Sequence, residues 1–162
     1  MPHPTQVAGF AATVVTVADY HDGQLHDTTA DYFAQGADGT VYYLGEQVDA
    51  SAQGIGSRHD GGSWRSGDQG AEPGVFMPAD PVMGDTFVPE HVPDVALEQT
   101  TVIAVEQRVT TPAGTFEGCL ITKEVGLPTG VTEEKTYCPE VGLVREGFPG
   151  GHRELVQVVA TS

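Results

Sequence analysis

Along this chain, apolar and β-branched residues alternate with polar ones in short runs, and Gly, Pro or Asp interrupts nearly every long segment within about 12 residues. That spacing suits a many-stranded β domain and leaves few windows for a helix. Residues 11–20 (AATVVTVADY) read as a strand. His21-Asp22-Gly23 is its turn, with Gly able to take positive φ, and residues 25–35 return beside it. A second hairpin is the clearest local signal: Asp31-Tyr-Phe-Ala-Gln35, the turn Gly36-Ala-Asp38-Gly39, then Thr40-Val-Tyr-Tyr-Leu44. Period two puts Val41 and Tyr43 on one face and Tyr42 and Leu44 on the other, so either both faces are covered or one is an aromatic surface.

The pattern then loosens. Residues 51–62 are polar and glycine-rich, as in a long loop, and Gly62-Ser-Trp64 carries the only tryptophan. Residues 73–78 (PGVFMP) are a short apolar run between prolines, an edge strand or a plug across one end of a barrel. Residues 97–109 are the longest strand segment, with Leu97, Thr101, Ile103, Val105 and Val109 expected mainly on one face. Pro112-Ala-Gly114 turns the chain into residues 116–123, and Pro128-Thr-Gly130 turns it again into residues 131–138. Residues 141–144 and 154–159 supply the last two strands. The class is therefore all-β: one domain over residues 1–162, built as a single antiparallel curved sheet or barrel with little helix.

The two cysteines fall on the two strands flanking Pro128-Thr-Gly130. Pairing about the middle of that loop brings Cys119 opposite or nearly opposite Cys138, within reach of a disulfide if the Cβ atoms face each other. The alternative is two buried free thiols, since a zinc site needs two more ligands nearby.

With 7 Lys and Arg against 23 Asp and Glu, the net charge of −16 repels phosphate backbones and anionic membranes, so nucleic acid is disfavoured as a partner. No apolar run is long enough for membrane insertion as a helix. The start of the chain lacks the form of a signal peptide, which leaves a cytosolic chain or a mature exported one, and the cysteine pair favours a secreted or extracytoplasmic location.

Several of these segments, in order, resemble a family of secreted bacterial proteins of unassigned function: residues 31–35 and 38–46, Gly62-Ser-Trp64, residues 73–79, Gly84-Asp-Thr-Phe87, residues 112–116 and residues 137–144. The likeness runs over residues 7–156 and brings no catalytic residue with it. Members of that family begin with a further pair of strands, including a Trp-x-Tyr segment, that this chain lacks. The resemblance thus implies that the strand of residues 11–20 is an edge. Its Val14, Val15 and Val17 have no Pro or Lys among them, which predicts a homo-oligomer through that strand.

Sequence motifs of familiar hydrolases, nucleotide enzymes and zinc proteases are missing. His21, Asp22, His26 and Asp27, with Asp19, lie at the ends of one hairpin and could meet a divalent metal, though polar turn residues in solvent explain them as well. His59-Asp60, His91 and His152 sit in separate loops. Glu133 and Glu134 are strand neighbours on opposite faces and cannot share a substrate. Two classes of function follow. One is a non-catalytic binding module for a small apolar or sugar-like ligand, lined by Tyr42, Trp64, Phe76, Met77 and Tyr137 unless these are simply core. The other is a metal-dependent enzyme using histidines and carboxylates, with a structural or interaction protein as a further alternative.

Overall fold

The computed structural model describes residues 5–50, 63–92, 96–127 and 129–159. The expected loop of residues 51–62, with His59 and Asp60, lies outside them. Twelve strands form: β1 (Thr5–Val7), β2 (Phe10–His21), β3 (Gln24–Gln35), β4 (Val41–Ala50), β5 (Trp64–Arg65), β6 (Glu72–Met77), β7 (Thr86–Val92), β8 (Ala96–Thr111), β9 (Gly114–Gly126), β10 (Thr132–Cys138), β11 (Gly142–Phe148) and β12 (Gly151–Glu154). They pair in the order β1-β2-β3-β4-β6-β7-β8-β9-β10-β11-β12, with β5 beside β4. Neighbours along the chain are neighbours in the sheet almost throughout, as short turns demand. The sheet is antiparallel and ends at β1 and β12, so among the described residues it does not close into a barrel.

The chain forms two compact units: residues 1–80 with 88–97, and residues 81–87 with 98–162. In the first, Asp22 and Gly23 both take positive φ (50° and 76°), the signature of the tight turn whose twist matches a hairpin. The turn at residues 36–39 is closed by Gly36 N donating to Thr40 O and by Thr40 N donating to Asp38 Oδ1. Both faces of β4 are covered. Tyr32 and Leu44 pack with Val7 and Ala12, and Tyr42 lies against them. Tyr43 packs on the other face with Trp64, Ala71 and Val92.

β4 changes neighbours along its length. Val41 to Tyr43 pair with β6, while Gly45 and Glu46 pair with Arg65 and Trp64 of β5. A Cβ on Gly45 would come within 2.3 Å of the Trp64 carbonyl oxygen, so only glycine admits β5 there. β6 is an interior strand between β4 and β7, rather than an edge or a plug. Its Pro73 is the second residue of the strand, where a missing N–H costs the ladder least.

In the second unit, β9 and β10 keep one register from Thr132 opposite Val125 to Tyr137 opposite Leu120. One more step puts Cys138 opposite Cys119, and the two form a disulfide with Cα atoms 4.2 Å apart. It sits in a cluster with Val109 and Val144. β8 departs from the simple alternation. Register shifts between Val102 and Val109, with Glu106 at φ 53°, insert bulges, so that Val102 and Val109 are both buried while Ile103 is exposed; Leu97, ahead of the bulges, is exposed as well. The final strand is Gly151–Glu154 rather than residues 154–159: after it only the Leu155 backbone continues the pairing, its N–H donating to Val144 O and its carbonyl accepting from Ala113 N.

Candidate functional site

The most concentrated chemistry of the first unit lies on the Tyr43 face. Asp31 of β3 stands directly opposite Glu46 of β4, and Glu46 stands opposite Trp64 of β5. The Tyr43 hydroxyl donates to Asp31 Oδ1 at 2.7 Å. Aromatic rings wall this group: Phe33 and Tyr43 have centroids 5.1 Å apart, Phe76 meets Phe33 edge-on at 5.0 Å, and Trp64 meets Tyr43 edge-on at 5.4 Å. Burial pushes the Glu46 carboxyl up to about 7, the Asp31 charge adds to that, and its hydrogen bond with Tyr43 opposes it. Burial likewise raises the Tyr43 phenol far above its ordinary value, with Glu46, Asp31 and Glu90 adding. Two buried polar atoms of this unit, Trp64 Nε1 and Ser66 Oγ, have no hydrogen-bond partner among the described residues. Arg65 points the other way: its guanidinium lies over the Tyr32 ring at 4.7 Å and donates to the Tyr32 hydroxyl and to Gln47 Oε1.

Of the aromatic residues expected to line a ligand mouth, the structure brings Trp64 and Phe76 to one cluster. Tyr42 belongs to the cluster on the opposite face of β4. Met77 is half-buried opposite Val41, and Tyr137 lies in the second unit. Of the expected metal ligands, His26 and Asp27 meet, with Nδ1 3.2 Å from Oδ2, and Asp19 is opposite Asp27 across the hairpin. Asp22 is exposed at the turn, and the His21 side chain is outside the description. Among the described residues no three His, Cys, Asp or Glu side chains are grouped to hold a metal. His91 and His152 are exposed on β7 and β12.

Sequence reasoning passed over Asp31, Tyr43 and Glu46. A partial signal existed: carrying the pairing of Gln35 with Val41 back along the hairpin brings Asp31 within one residue of Glu46, and the bulge between Tyr32 and Phe33 supplies the last step.

The second unit has a charged group of its own. Lys135 Nζ contacts Glu124 Oε2 and lies 3.6 Å from Glu133 and 3.8 Å from Glu146, whose other oxygen faces Arg153 Nη1 at 3.6 Å. Burial alone would push the ammonium down, but Tyr137, Glu124 and Glu98 outweigh it and hold Lys135 well above its ordinary value. Glu133 faces this group while Glu134 is exposed, as strand alternation requires.

The molecule is thus an all-β protein with a part-buried carboxylate–phenol group in one unit and a part-buried lysine–carboxylate group in the other. Compared with family models, curated proteins and solved structures, the chain has no significant match.

Proposed function

We propose that this chain is a non-catalytic binding module that works by strand pairing, and that the partner taken up along β2 is a second copy of the chain. One observation carries the reading. β1 occupies the outer edge of β2 only as far as Ala12, opposite Thr5, and no described strand pairs with that edge beyond it. Residues 13–18 are exposed on both faces, including Val14, Val15 and Val17 at 43–46%. Natural edges are usually blunted by charge, proline or a covering element, and none of these occurs in residues 13–18.

Charge selects the partner. A molecule of net charge −16 meets its own copy most favourably through a segment that carries none, and the first charge of β2 is Asp19. Two antiparallel β2 strands related by a two-fold axis place the valines of one copy beside those of the other. The disulfide suits an oxidising compartment, so the association belongs to an extracytoplasmic setting. Among the described residues no helix is long and apolar enough to cross a membrane.

Light scattering in 0.15 M salt tests this. The unaltered chain gives a dimer mass with slow amide exchange at residues 13–17, and Val15→Lys gives a monomer with unchanged far-UV circular dichroism. A monomer mass for the unaltered chain, with fast exchange at those amides, refutes it.

A small apolar or sugar-like ligand at Trp64 and Phe76 is a second reading, favoured by the buried Trp64 Nε1, which has no hydrogen-bond partner among the described residues, on a residue that stands opposite Glu46 in the sheet. Ligand-dependent change in Trp64 emission would support it.

A further inference from the structure

Two tight turns fix which backbone groups of β2 face its open edge. Ala8 and Gly9 take positive φ (49° and 84°), so Val7 and Phe10, the pair flanking that two-residue turn, exchange both of their hydrogen bonds. Alternation from Phe10 through Ala12 then directs the N–H and C=O groups of Val14, Thr16, Ala18 and Tyr20 to the outer edge and those of the odd-numbered residues to β3. The turn at Asp22 and Gly23 gives the same phase from the other end, since His21 and Gln24 flank it as a pair. Between residues 13 and 19 the β2–β3 register is unbroken, so the phase carries across. Two copies of β2 running antiparallel about a two-fold axis must therefore set even-numbered residues opposite even-numbered ones.

β1 restricts the choice further. Thr5 stands opposite Ala12 on the same outer edge, and β1 is held there by Val7, which is buried with Ala12, Tyr32 and Leu44. Placing Val15, Thr16 or Val17 on the axis would drive residue 18, 20 or 22 of the other copy onto Thr5. With Ala18 on the axis, the turn at Asp22 and Gly23 of the other copy ends short of Thr5. Placing Asp19 there sets two like charges opposite each other and shortens the paired segment. We infer that, in the dimer proposed above and resting on it, β1 is a stop that sets the register: Ala18 lies on the two-fold axis, residues 15–21 of the two copies pair, and Tyr20 of one copy packs on Thr16 of the other.

The side chains suit this register. Even-numbered residues of β2 share one face, so Tyr20, 62% exposed in the single chain, gains a β-branched neighbour across the edge. Ala18 is small enough to let the two backbones meet at the axis. On the other face, Val17 stands opposite Asp19 of the other copy and diagonal to its Val17, so the valines of the two copies are neighbours and no ion pair forms. The two Asp19 positions are also diagonal, roughly 7–8 Å apart, and their repulsion is what the displacement away from β1 costs the dimer.

Five single substitutions read the register: Val15→Cys, Thr16→Cys, Val17→Cys, Ala18→Cys and Asp19→Cys, each oxidised and run on a non-reducing gel. A residue meets its own copy only on the axis, and even the residues beside it lie roughly 8 Å from theirs, beyond the reach of a disulfide. Ala18→Cys should give a covalent dimer and the other four should not. Tyr20→Ala should weaken the dimer about tenfold in sedimentation, and Asp19→Asn should strengthen it. Val7→Asp, which lifts β1 from its cluster, should let cross-linking spread to residues 15–17. A dimer mass without an Ala18→Cys cross-link, or a dimer that Tyr20→Ala leaves as tight as before, overturns the register while the dimer stands. Cross-linking still confined to Ala18→Cys in the Val7→Asp background overturns the role of β1. A monomer mass with no cross-link at any of the five positions overturns dimer and register together. Where Val7→Asp fails to fold, the five single substitutions decide alone.

Discussion

Glu46 and Lys135 are both part-buried and both hold their protons more tightly than usual, Glu46 chiefly through burial, which leaves it neutral, and Lys135 through neighbouring groups that outweigh burial and keep it charged. Because Glu46 holds its proton to about pH 7 in the folded chain against an ordinary value of 4.5, the folded state binds more protons between those limits. Stability from this group is therefore full below about pH 4.5 and lost as pH rises through about 7. After discounting for the water that reaches it, the change is roughly 2 kcal/mol. Urea unfolding at pH 5 and pH 8 should show the first unit more stable in acid, and Glu46→Gln should abolish that difference. Lys135 has the reverse character, since it is the cation that neutralises buried Glu124. Lys135→Met strands that carboxylate and should cost about 3 kcal/mol in urea unfolding, whereas adding Glu124→Leu should restore most of it.

At the scale of elements, the β9–β10 hairpin is the part whose sequence and structure agree most closely. The loop centred near residue 128 fixes the register, and the register alone brings Cys119 opposite Cys138. Reducing the disulfide, or replacing both cysteines with Ala, should lower stability by roughly 3 kcal/mol for a loop of this length. Calorimetry with and without reductant measures it.

The two hairpins of the first unit were equally readable, because Asp22-Gly23 and the turn at residues 36–39 announce themselves through turn chemistry. β8 was not. Its bulges depend on how β9 pairs with it, and no local pattern around Glu106 marks the change of face. The role of β6 was hidden for a similar reason, since Pro73 suggests an edge until β7 is known to lie beyond it. The Asp31, Tyr43 and Glu46 group was missed because its chemistry comes from burial, which a residue list does not carry, whereas Tyr42 and Trp64 attracted notice as aromatics. At Gly45, substitution by Ala should detach β5 at a cost above about 2 kcal/mol and expose Trp64, as a red shift of its emission would show.

For the whole molecule, charge is unevenly divided. The first unit has 2 basic and 13 acidic residues and the second has 5 and 10, giving −11 and −5 of the total −16. The proposed pairing edge belongs to the more acidic unit, yet is itself neutral. Salt therefore screens the repulsion between copies without weakening any attraction at the edge, the screening length falling from about 10 Å at 0.1 M to about 3 Å at 1 M. Sedimentation from 0.05 to 0.5 M salt should show the dimer strengthening as salt rises. Weakening would mean that ion pairs, rather than strand pairing, hold the copies together.

The position of the disulfide also bears on how quickly the chain finds its structure. Closing the loop between Cys119 and Cys138 beforehand removes most of the search for the β9–β10 pairing, and a strand slipped by one residue would turn every side chain to the wrong face. An oxidised denatured chain thus begins with that register already chosen, while a reduced one must discover it among its alternatives. If this hairpin forms in the folding transition state, reduction will slow refolding and leave the unfolding rate almost unchanged.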